Sequence, residues 1–274
     1  MKFESNIKIS QIQVQGLGHP YQNAKLIKSR LLKTVDFNPD LISTPECLNI
    51  ITNDSIHLKN NAPYQDNCPV LNECREFAKK NKKVIHIGSL LLKDKNANNL
   101  LNRSFIIGTD GKIKKIYDKI HLFDVSLNKR ETYKESSLFS RGNKLALVNL
   151  FGVKMGMTIC YDLRFPLLFS KLTQSGAKVI FVPAAFTVMT GISHWLLLLR
   201  ARAIENSSFI IATAQCGNHH YNRKTYGYSC LIDPWGNLLS IAKSKPKIIN
   251  ASINISYLKD IRKRLPSIKH AQKI

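Results

Sequence analysis

The segment LALVNLFGVKMGMTICYDLRFPLLFSKLTQ, residues 145–174, contains each kind of element that recurs along the rest of the chain. Two apolar stretches separated by Gly152 predict a β-hairpin, and the second stretch runs up to Cys160. The chain then turns polar at once, and Pro166 is typical of the first turn of a helix. The segment therefore predicts strand, turn and helix, with Cys160 at the turn.

Strands and helices alternate on both sides of this segment. Alternating or continuous apolar stretches predict strands, and apolar residues at helical spacing predict helices. The predicted strands cover residues 7–14, 39–46, 83–92, 178–183, 208–214, 226–233 and 237–242, and the predicted helices cover residues 21–35, 69–81, 166–175 and 192–206. A second hairpin is predicted over residues 100–119, with Thr109, Asp110 and Gly111 at its turn. Hairpins mixed with strand–helix units predict an α/β fold in which helices cover the sheets, rather than a doubly wound parallel sheet.

Length and charge limit the function classes. A chain of 274 residues suits one large domain, and we expect residues 1–274 to form it, with a short basic C-terminal segment at about 257–274. The net charge of +23 is that of a nucleic-acid binder, but the lysines are dispersed and form no basic stripe interleaved with aromatic residues. We therefore expect no nucleic-acid partner, and the positive surface could attract a small anion instead.

The apolar stretches and the cysteines indicate the compartment. No apolar stretch approaches the roughly 20 residues that cross a bilayer, and the first ten residues, MKFESNIKIS, lack the apolar core of a signal peptide. The six cysteines include no C-x-x-C pair, and they form no zinc-finger spacing with histidine. We expect free thiols, no metal, no membrane contact and a cytoplasmic location.

The residues around Cys160, considered alone, allow two interpretations of this cysteine. A buried cysteine at the end of a strand is the more common case. A thiol at a strand-to-helix turn can also be exposed above a sheet edge, where the following backbone N–H, that of Tyr161, can stabilise an oxyanion. A nucleophilic thiol needs a base or a cation nearby, and the candidates are Glu46 in TPE and either Lys119 or His121 in YDKIHLFD.

The ordered set decides between these interpretations. Glu46 in ISTPE, Lys119 in YDKIHLFD, Glu135 in YKES and Cys160 in ICYDLRFP together resemble the nitrilase, or carbon–nitrogen hydrolase, superfamily. The resemblance implies that Glu46, Lys119 and Cys160 form a catalytic triad. It also implies that Glu135, the second glutamate, positions Lys119 or the substrate, and that no cofactor is needed.

The resemblance also implies a reaction. Glu46 takes the thiol proton of Cys160 and later activates water, while Lys119 and the Tyr161 backbone N–H stabilise the tetrahedral oxyanion. Cys160 attacks an amide carbonyl, the amine leaves, and the thioester is hydrolysed to a carboxylic acid.

The segments AAFT..TG..HW, LLRARAIEN and AQCG.HH leading to YGYS..DPWG resemble the amidase branch that contains deaminated glutathione amidase and the ω-amidases. Such substrates are 2-oxo acids with extra carboxylates, so Arg164 and His194 are predicted carboxylate anchors. Phe186, Thr187 and Trp195 are predicted to shape the pocket, although an apolar loop beside a helix is equally typical of core. Deaminated glutathione is the expected substrate, and 2-oxoglutaramate and N-carbamoyl compounds are the alternatives.

Three positions depart from the branch. Tyr228 replaces a histidine after YG, the segment SRGN at 140–143 replaces Pro-Gly, and Thr44 replaces a bulky apolar residue. The first two lie near segments that line or support the pocket in the family. They leave the residues of the chemistry unchanged and alter the surroundings of the substrate pocket.

The family fold is a four-layer α-β-β-α sandwich that pairs through its helical faces. We expect a homodimer, or a higher homo-oligomer, whose interface contains the helices in ICYDLRFPLLFSKLTQ and HWLLLLRARAIE. The basic C-terminal segment matches the family's terminal segment, which tends to reach across the dimer. The non-enzyme alternative is an inactive nitrilase-fold binding protein, and the retained Glu46, Lys119 and Cys160 oppose it.

Overall fold

The computed structural model describes residues 6–129 and 131–272, and its strands and helices alternate along the chain. The strands are β1 (Asn6–Gln13), β2 (Leu41–Ser43), β3 (Val84–Lys93), β4 (Leu100–Ile107), β5 (Ile113–Asp118), β6 (Asp124–Asn128), β7 (Glu131–Lys134), β8 (Phe139–Ser140), β9 (Ala146–Leu150), β10 (Val153–Met157), β11 (Val179–Phe181), β12 (Phe209–Ala212), β13 (Cys216–Asn218), β14 (Lys224–Tyr226), β15 (Cys230–Ile232), β16 (Leu238–Ile241) and β17 (Lys247–Asn254). The helices are α1 (Pro20–Leu32), α2 (Ser55–Asn61), α3 (Pro69–Asn81), α4 (Pro166–Gln174), α5 (Val188–Thr190), α6 (Leu196–Glu205), α7 (Ile255–Arg264) and α8 (Ser267–His270).

Two mixed β-sheets form the centre of the molecule. The first sheet has the order β17-β1-β2-β3-β4-β5, with β8 beside β4, and the second has the order β16-β15-β12-β11-β10-β9. Strands β1, β2 and β3 are parallel in the first sheet, and β10, β11 and β12 are parallel in the second. The hairpins β6-β7 and β13-β14 are separate two-stranded sheets.

The buried side chains define four layers. One apolar cluster joins the inner faces of the two sheets to α4 and α6, and it contains Ile9, Val84, Ile180, Phe169 and Leu199. A second cluster joins the opposite face of the first sheet to α1 and α3 through residues such as Ile27, Leu71 and Ile85. The order helix, sheet, sheet, helix is the predicted four-layer α-β-β-α sandwich, which is thereby confirmed.

Polar side chains also join the two sheets. The Gln11 amide donates to the carbonyl oxygens of Ala212 (2.8 Å) and Cys230 (3.1 Å), and Ser43 shares a hydrogen bond with Thr213 at 2.8 Å. Burial lowers the pKa of His86 to about 3, so this residue is neutral where it contacts Ser43. These hydrogen bonds satisfy buried polar groups and fix the relative position of the sheets.

Both predicted hairpin turns are confirmed. Gly111 and Gly152 each have φ of 73°, a conformation that glycine adopts without strain. Cys160 lies at the predicted turn between strand and helix, but the strand ends earlier than predicted, because β10 ends at Met157 and a short 3₁₀ turn covers Cys160–Arg164. Sequence patterns did not predict α2, β6-β7, β13-β14, β17 and α7, whose segments are short or rich in lysine and asparagine.

The basic C-terminal segment packs on the rest of the chain where the structure describes it. Leu258 of α7 belongs to the inner cluster, Ile261 is also buried, and Arg262 donates to the carbonyl oxygens of Ser207 (3.0 Å) and Ala177 (2.9 Å). Within residues 6–129 and 131–272, no helix combines the length and the apolar character that a membrane span requires.

Candidate active site

Lys119 is the centre of a buried cluster of charges. Its Nζ lies 2.9 Å from Glu46 Oε1 and 2.8 Å from Glu135 Oε2. Glu46 follows β2, Lys119 follows β5 and Glu135 follows β7, so three separate loops supply the cluster. The Asn102 amide donates to Glu46 Oε1 at 2.9 Å and to Glu135 Oε1 at 3.1 Å, and it thereby links the two carboxylates.

Backbone groups complete the coordination of both carboxylates. The Ala185 N–H donates to Glu46 Oε2 at 2.8 Å, and the Phe123 N–H donates to Glu135 Oε2 at 2.7 Å. The exposed fractions of Glu46 and Lys119 are only 3% and 2%. Because each oxygen of Glu46 and each oxygen of Glu135 has a donor, the cluster is held in one arrangement.

Cys160 lies against this cluster. Its thiol is close enough to Glu46 and Lys119 for the charges of both residues to act on its pKa. Its backbone N–H donates to Pro183 O at 2.8 Å, and its φ of 48° is a left-handed conformation that is strained for a non-glycine residue. The strained turn presents the sulfur to Glu46 and places the Tyr161 N–H at the start of the 3₁₀ turn, where helical N–H groups have no partner within the helix.

The charges fix the protonation states. Burial raises the pKa of Cys160, and the negative charge of Glu46 raises it further, so the resting group is a thiol. Burial by itself would raise the pKa of Glu46, but Lys119 outweighs burial and holds the pKa below the ordinary value of 4.5. Burial opposes the charged form of Lys119, yet Glu135 and Glu46 raise its pKa well above 10.5. The cluster therefore pairs a proton donor, Cys160, with an ionised base, Glu46, and keeps a cation beside them.

A second buried carboxylate holds the turn that carries Cys160. Asp162 is fully buried, and its Oδ2 accepts from the Tyr117 hydroxyl at 2.7 Å and from the Ile159 N–H at 2.8 Å. Its Oδ1 accepts from the His121 N–H at 3.1 Å and lies 2.7 Å from His121 Nδ1. Of the two candidates in YDKIHLFD, Lys119 therefore reaches the thiol cluster, while His121 supports the turn from behind.

Close backbone approaches bring these loops together. A Cβ on Gly88 would lie 2.1 Å from Thr44 O and 2.4 Å from Pro183 Cβ, so only glycine lets β3 contact both the Glu46 loop and Pro183, whose carbonyl oxygen accepts from the Cys160 N–H. Gln215 donates to Glu46 O at 3.0 Å and fixes the peptide that follows Glu46.

Two of the departures from the branch also form hydrogen bonds that hold the loops of the site together. In SRGN, the Gly142 N–H donates to Lys119 O at 2.8 Å. The Thr44 hydroxyl accepts from the Gly88 N–H at 3.2 Å and donates to His86 O at 3.2 Å.

The cluster lies at the wall of a cavity of about 480 Å³. Eight of the predicted site residues line this cavity: Glu46, Lys119, Glu135, Cys160, Tyr161, Arg164, Phe186 and Thr187. The Arg164 guanidinium is 5.6 Å from the Phe186 ring centroid and 5.9 Å from the Tyr161 ring centroid. In the described part of the chain Arg164 has no carboxylate partner, so it is available to a substrate anion.

Two predicted pocket residues lie outside the cavity wall. Trp195 belongs to the core, because its indole ring is fully buried and its Nε1 donates to Tyr228 O at 2.8 Å. His194 is exposed, and it reaches the cavity only through Arg164, whose Nη2 is 3.1 Å from His194 Nδ1. Tyr228, the departure after YG, stacks on Tyr226 with ring centroids 4.3 Å apart and packs against the core.

Several site residues were not predicted from the sequence. Asn102 and Arg223 occur in segments without a motif, and Gln215 lies in AQCG.HH, which gave no role to this residue; only the folded chain brings the three to the cluster or the cavity wall. Asp162 had a signal, namely a carboxylate two positions after Cys160, directly behind an apolar strand. Over residues 6–129 and 131–272, no group of three or more His, Cys, Asp or Glu residues could hold a metal ion.

Comparisons with known proteins show the family of this chain. The family described as carbon–nitrogen hydrolase matches residues 10–263. A deaminated glutathione amidase from Yersinia enterocolitica is 34% identical over 97% of this chain and 93% of its own length. One from Synechocystis is 45% identical over 62% of this chain and 63% of its own length, and one from Dictyostelium discoideum is 35% identical over 94% and 91%.

Solved structures have the same fold. The NitFhit protein of Caenorhabditis elegans superimposes with a TM-score of 0.91 at 30% identity, over 97% of this chain and 65% of that chain. Nit3 of Saccharomyces cerevisiae, a member of branch 10 of the nitrilase superfamily, superimposes with a TM-score of 0.86 at 25% identity, over 95% and 94%. The chain belongs to the carbon–nitrogen hydrolase family and is an amidase of the nitrilase superfamily.

Proposed function

We propose that this amidase hydrolyses deaminated glutathione to 2-oxoglutarate and cysteinylglycine through a thioester on Cys160. The observation that carries the proposal is the buried ion pair between Glu46 and Lys119, at 2.9 Å, on the wall of the same cavity as Cys160, where guanidinium groups also lie. The names of the Yersinia, Synechocystis and Dictyostelium relatives support the choice of substrate.

The first half of the reaction follows from the protonation states. Glu46 accepts the proton of Cys160 as the sulfur attacks the amide carbonyl, so the thiolate forms only during attack. The negative charge moves to the carbonyl oxygen, where Lys119 Nζ and the Tyr161 N–H stabilise it. Glu46 then returns its proton to the leaving nitrogen, and cysteinylglycine departs with a free amino group.

The second half repeats the same roles with water. Glu46 takes a proton from water, the resulting hydroxide attacks the thioester carbonyl, and the same donors stabilise the oxyanion. The C–S bond breaks, Cys160 recovers its proton, and 2-oxoglutarate leaves as the acid. Glu135 and Asn102 hold Lys119 and Glu46 in position throughout, because both contact the charged pair directly.

The test is hydrolysis of deaminated glutathione by the purified protein, followed through the amino group that appears on cysteinylglycine. Wild-type protein should turn the substrate over, and Cys160→Ala should not, while its melting temperature stays close to that of the wild type. Acid-quenched wild-type protein should carry a 2-oxoglutaryl adduct in intact mass spectrometry. Turnover by Cys160→Ala, or a carbamoyl adduct, would contradict the proposal.

We also propose that the enzyme acts in the cytoplasm. All six cysteines are free thiols, the state that a reducing compartment maintains. Cell fractionation with an antibody against the protein tests this location, and recovery in an exported fraction would contradict it.

A homodimer is the proposed assembly. Three apolar side chains are exposed: Leu167 at the start of α4 by 64%, Ile192 in the turn before α6 by 68%, and Leu197 of α6 by 69%. Such an apolar face is typical of a protein interface. Leu197→Lys should convert a dimer to a monomer in light scattering. The control variant Ile56→Lys, at an exposed position of α2, should leave the dimer intact. A wild-type monomer would contradict the proposal.

A further inference from the structure

Arg223 is a cavity residue whose hydrogen-bonding capacity is largely unused. It precedes β14 and stacks on Tyr133, with its guanidinium 4.7 Å from the ring centroid. Its Nη1 is 3.4 Å from Asn53 Oδ1 and its Nη2 is 3.5 Å from Ala185 O, so both contacts are at the long limit of hydrogen bonds. Its Nε is buried and has no hydrogen-bond partner within the described residues.

This arrangement favours a carboxylate ligand. A buried N–H without an acceptor is costly, and a carboxylate offers two oxygens with the spacing of a guanidinium fork. The four carboxylates of the cavity wall already have other partners. Glu46 and Glu135 pair with Lys119, Asp54 caps α2, and Glu131 accepts from the Tyr133 hydroxyl. No salt bridge in the described part of the chain includes Arg223.

The position of Arg223 indicates which part of a substrate it contacts. The Ala185 carbonyl oxygen accepts a hydrogen bond from Arg223, and the Ala185 N–H donates one to Glu46. Ala185 therefore bridges the guanidinium and the general base. Arg164 instead contacts the exposed His194. The acyl part of a substrate stays bound through the thioester stage, while the amine must leave toward solvent. Arg223 lies beside the base and has a buried Nε, so it is suited to bind the acyl part.

We propose that Arg223 binds the carboxylate at the acyl end of the substrate, with Tyr133 and Asn53 holding its guanidinium in place. The proposal rests on the proposed function, because it assigns a residue to one end of that substrate. It deepens that function by restricting the acyl part to chains that end in a carboxylate, whatever the leaving amine.

The test compares two amides that differ only at this carboxylate. 2-Oxoglutaramate carries it, and 4-oxopentanamide has a methyl group in its place. Arg223→Gln should lower kcat/KM for 2-oxoglutaramate about 10- to 100-fold, the worth of a hydrogen bond to a charged group, and leave that for 4-oxopentanamide unchanged. Arg223→Lys should recover only part of the loss, because an ammonium lacks the fork. Arg264→Gln is the charge-matched control, since Arg264 is exposed on α7 and contacts Trp235.

A second measurement does not depend on turnover. Calorimetric titration of the wild-type protein with 2-oxoglutarate should give a dissociation constant at least about tenfold lower than titration of Arg223→Gln. Equal constants, or an equal loss of activity on both amides, would overturn the role of Arg223. Binding of 2-oxoglutarate that depends on Arg223, without hydrolysis of any amide, would refute the proposed function and leave this inference standing.

Discussion

The buried charge cluster and the two cavity arginines satisfy their charges in different ways. In the cluster, Lys119 pairs with Glu46 at 2.9 Å and with Glu135 at 2.8 Å. Backbone N–H groups complete the coordination of both carboxylates. Arg164 and Arg223 touch neutral groups and aromatic rings, with no carboxylate partner in the described part of the chain.

This difference distinguishes the residues proposed to catalyse the reaction from the residues proposed to select the substrate. Groups that are fully paired in the free enzyme need no rearrangement when charge develops on the substrate, which is the condition for electrostatic stabilisation of a transition state. Groups that are incompletely paired gain most from a ligand, because the ligand supplies the missing acceptors. Changes in the cluster should therefore affect every amide, whereas changes in the arginines should depend on the substrate's carboxylates.

Glu46→Gln should have the largest effect. The amide cannot accept the Cys160 proton, and it also leaves Lys119 with one carboxylate partner instead of two. We expect kcat to fall about 10²- to 10⁴-fold on every amide tested, the usual range for a general base. Steady-state kinetics on deaminated glutathione and on a neutral amide check this, and a loss confined to one of them would contradict the uniform role of the cluster.

Acid should reproduce this loss reversibly. Because Lys119 holds the pKa of Glu46 below 4.5, the base stays ionised above that value, and activity should fall only as the pH drops through the lowered pKa. The same depressed pKa contributes stability that is present above the unfolded-state pKa and is lost through the same acid window. The raised pKa of Cys160 predicts no gain from a preformed thiolate near neutral pH. A kcat/KM profile that rises with a midpoint near pH 8 to 9, the range of a free thiol, would contradict general-base catalysis.

Asp162→Asn should have an intermediate effect. Two donors face each oxygen of Asp162, so an asparagine must direct its NH₂ group at one of these pairs. We expect a stability loss of about 2 kcal/mol or more and a kcat lowered about 10- to 100-fold, because the strained Cys160 turn loses its support. Thermal denaturation and the rate of Cys160 alkylation measure the two consequences.

Tyr117→Phe is the matched milder variant, since it removes one of the same hydrogen bonds and keeps the ring in the core. Its losses should be smaller than those of Asp162→Asn. A Tyr117→Phe protein with the full loss would mean that the core, and not the carboxylate, positions the turn.

The sequence indicated the charge cluster and Cys160, but it did not reveal Arg223. Glu46, Lys119, Glu135 and Cys160 each follow a strand within a short motif, and the resemblance of this ordered set to a known family, rather than any one residue, singled them out. Arg223 lies in a loop among other cations, and its unpaired Nε depends on Asn53, Tyr133 and Ala185, which are distant in the chain.

The errors have the same physical origin. The apolar stretch at 192–206 predicts a helix correctly, but which of its faces meets the core depends on packing. Packing buries Trp195 against Phe186 and Tyr228 instead of placing it at the cavity. Periodicity likewise missed β17 at the edge beside β1, because its sequence KIINASIN mixes isoleucine with lysine, asparagine and serine without regular alternation.

Arg164→Gln should have the smallest effect on activity and the sharpest dependence on substrate. Deaminated glutathione has a second carboxylate on its leaving group, and 2-oxoglutaramate has none there. Arg164 is partly exposed and contacts exposed His194, so solvent weakens its attraction for an anion. We expect kcat/KM for deaminated glutathione to fall about tenfold, and that for 2-oxoglutaramate to change less than about twofold.

The paired variants at Arg164 and Arg223 then divide the cavity between the two ends of the substrate. Arg223→Gln should impair both substrates, since both carry the acyl-end carboxylate, and Arg164→Gln should impair only the one with a charged leaving group. Equal losses on both substrates for Arg164→Gln would place the two arginines at a single carboxylate. Such a result would favour an enzyme selective for the acyl end alone, because neither arginine would then recognise the leaving amine.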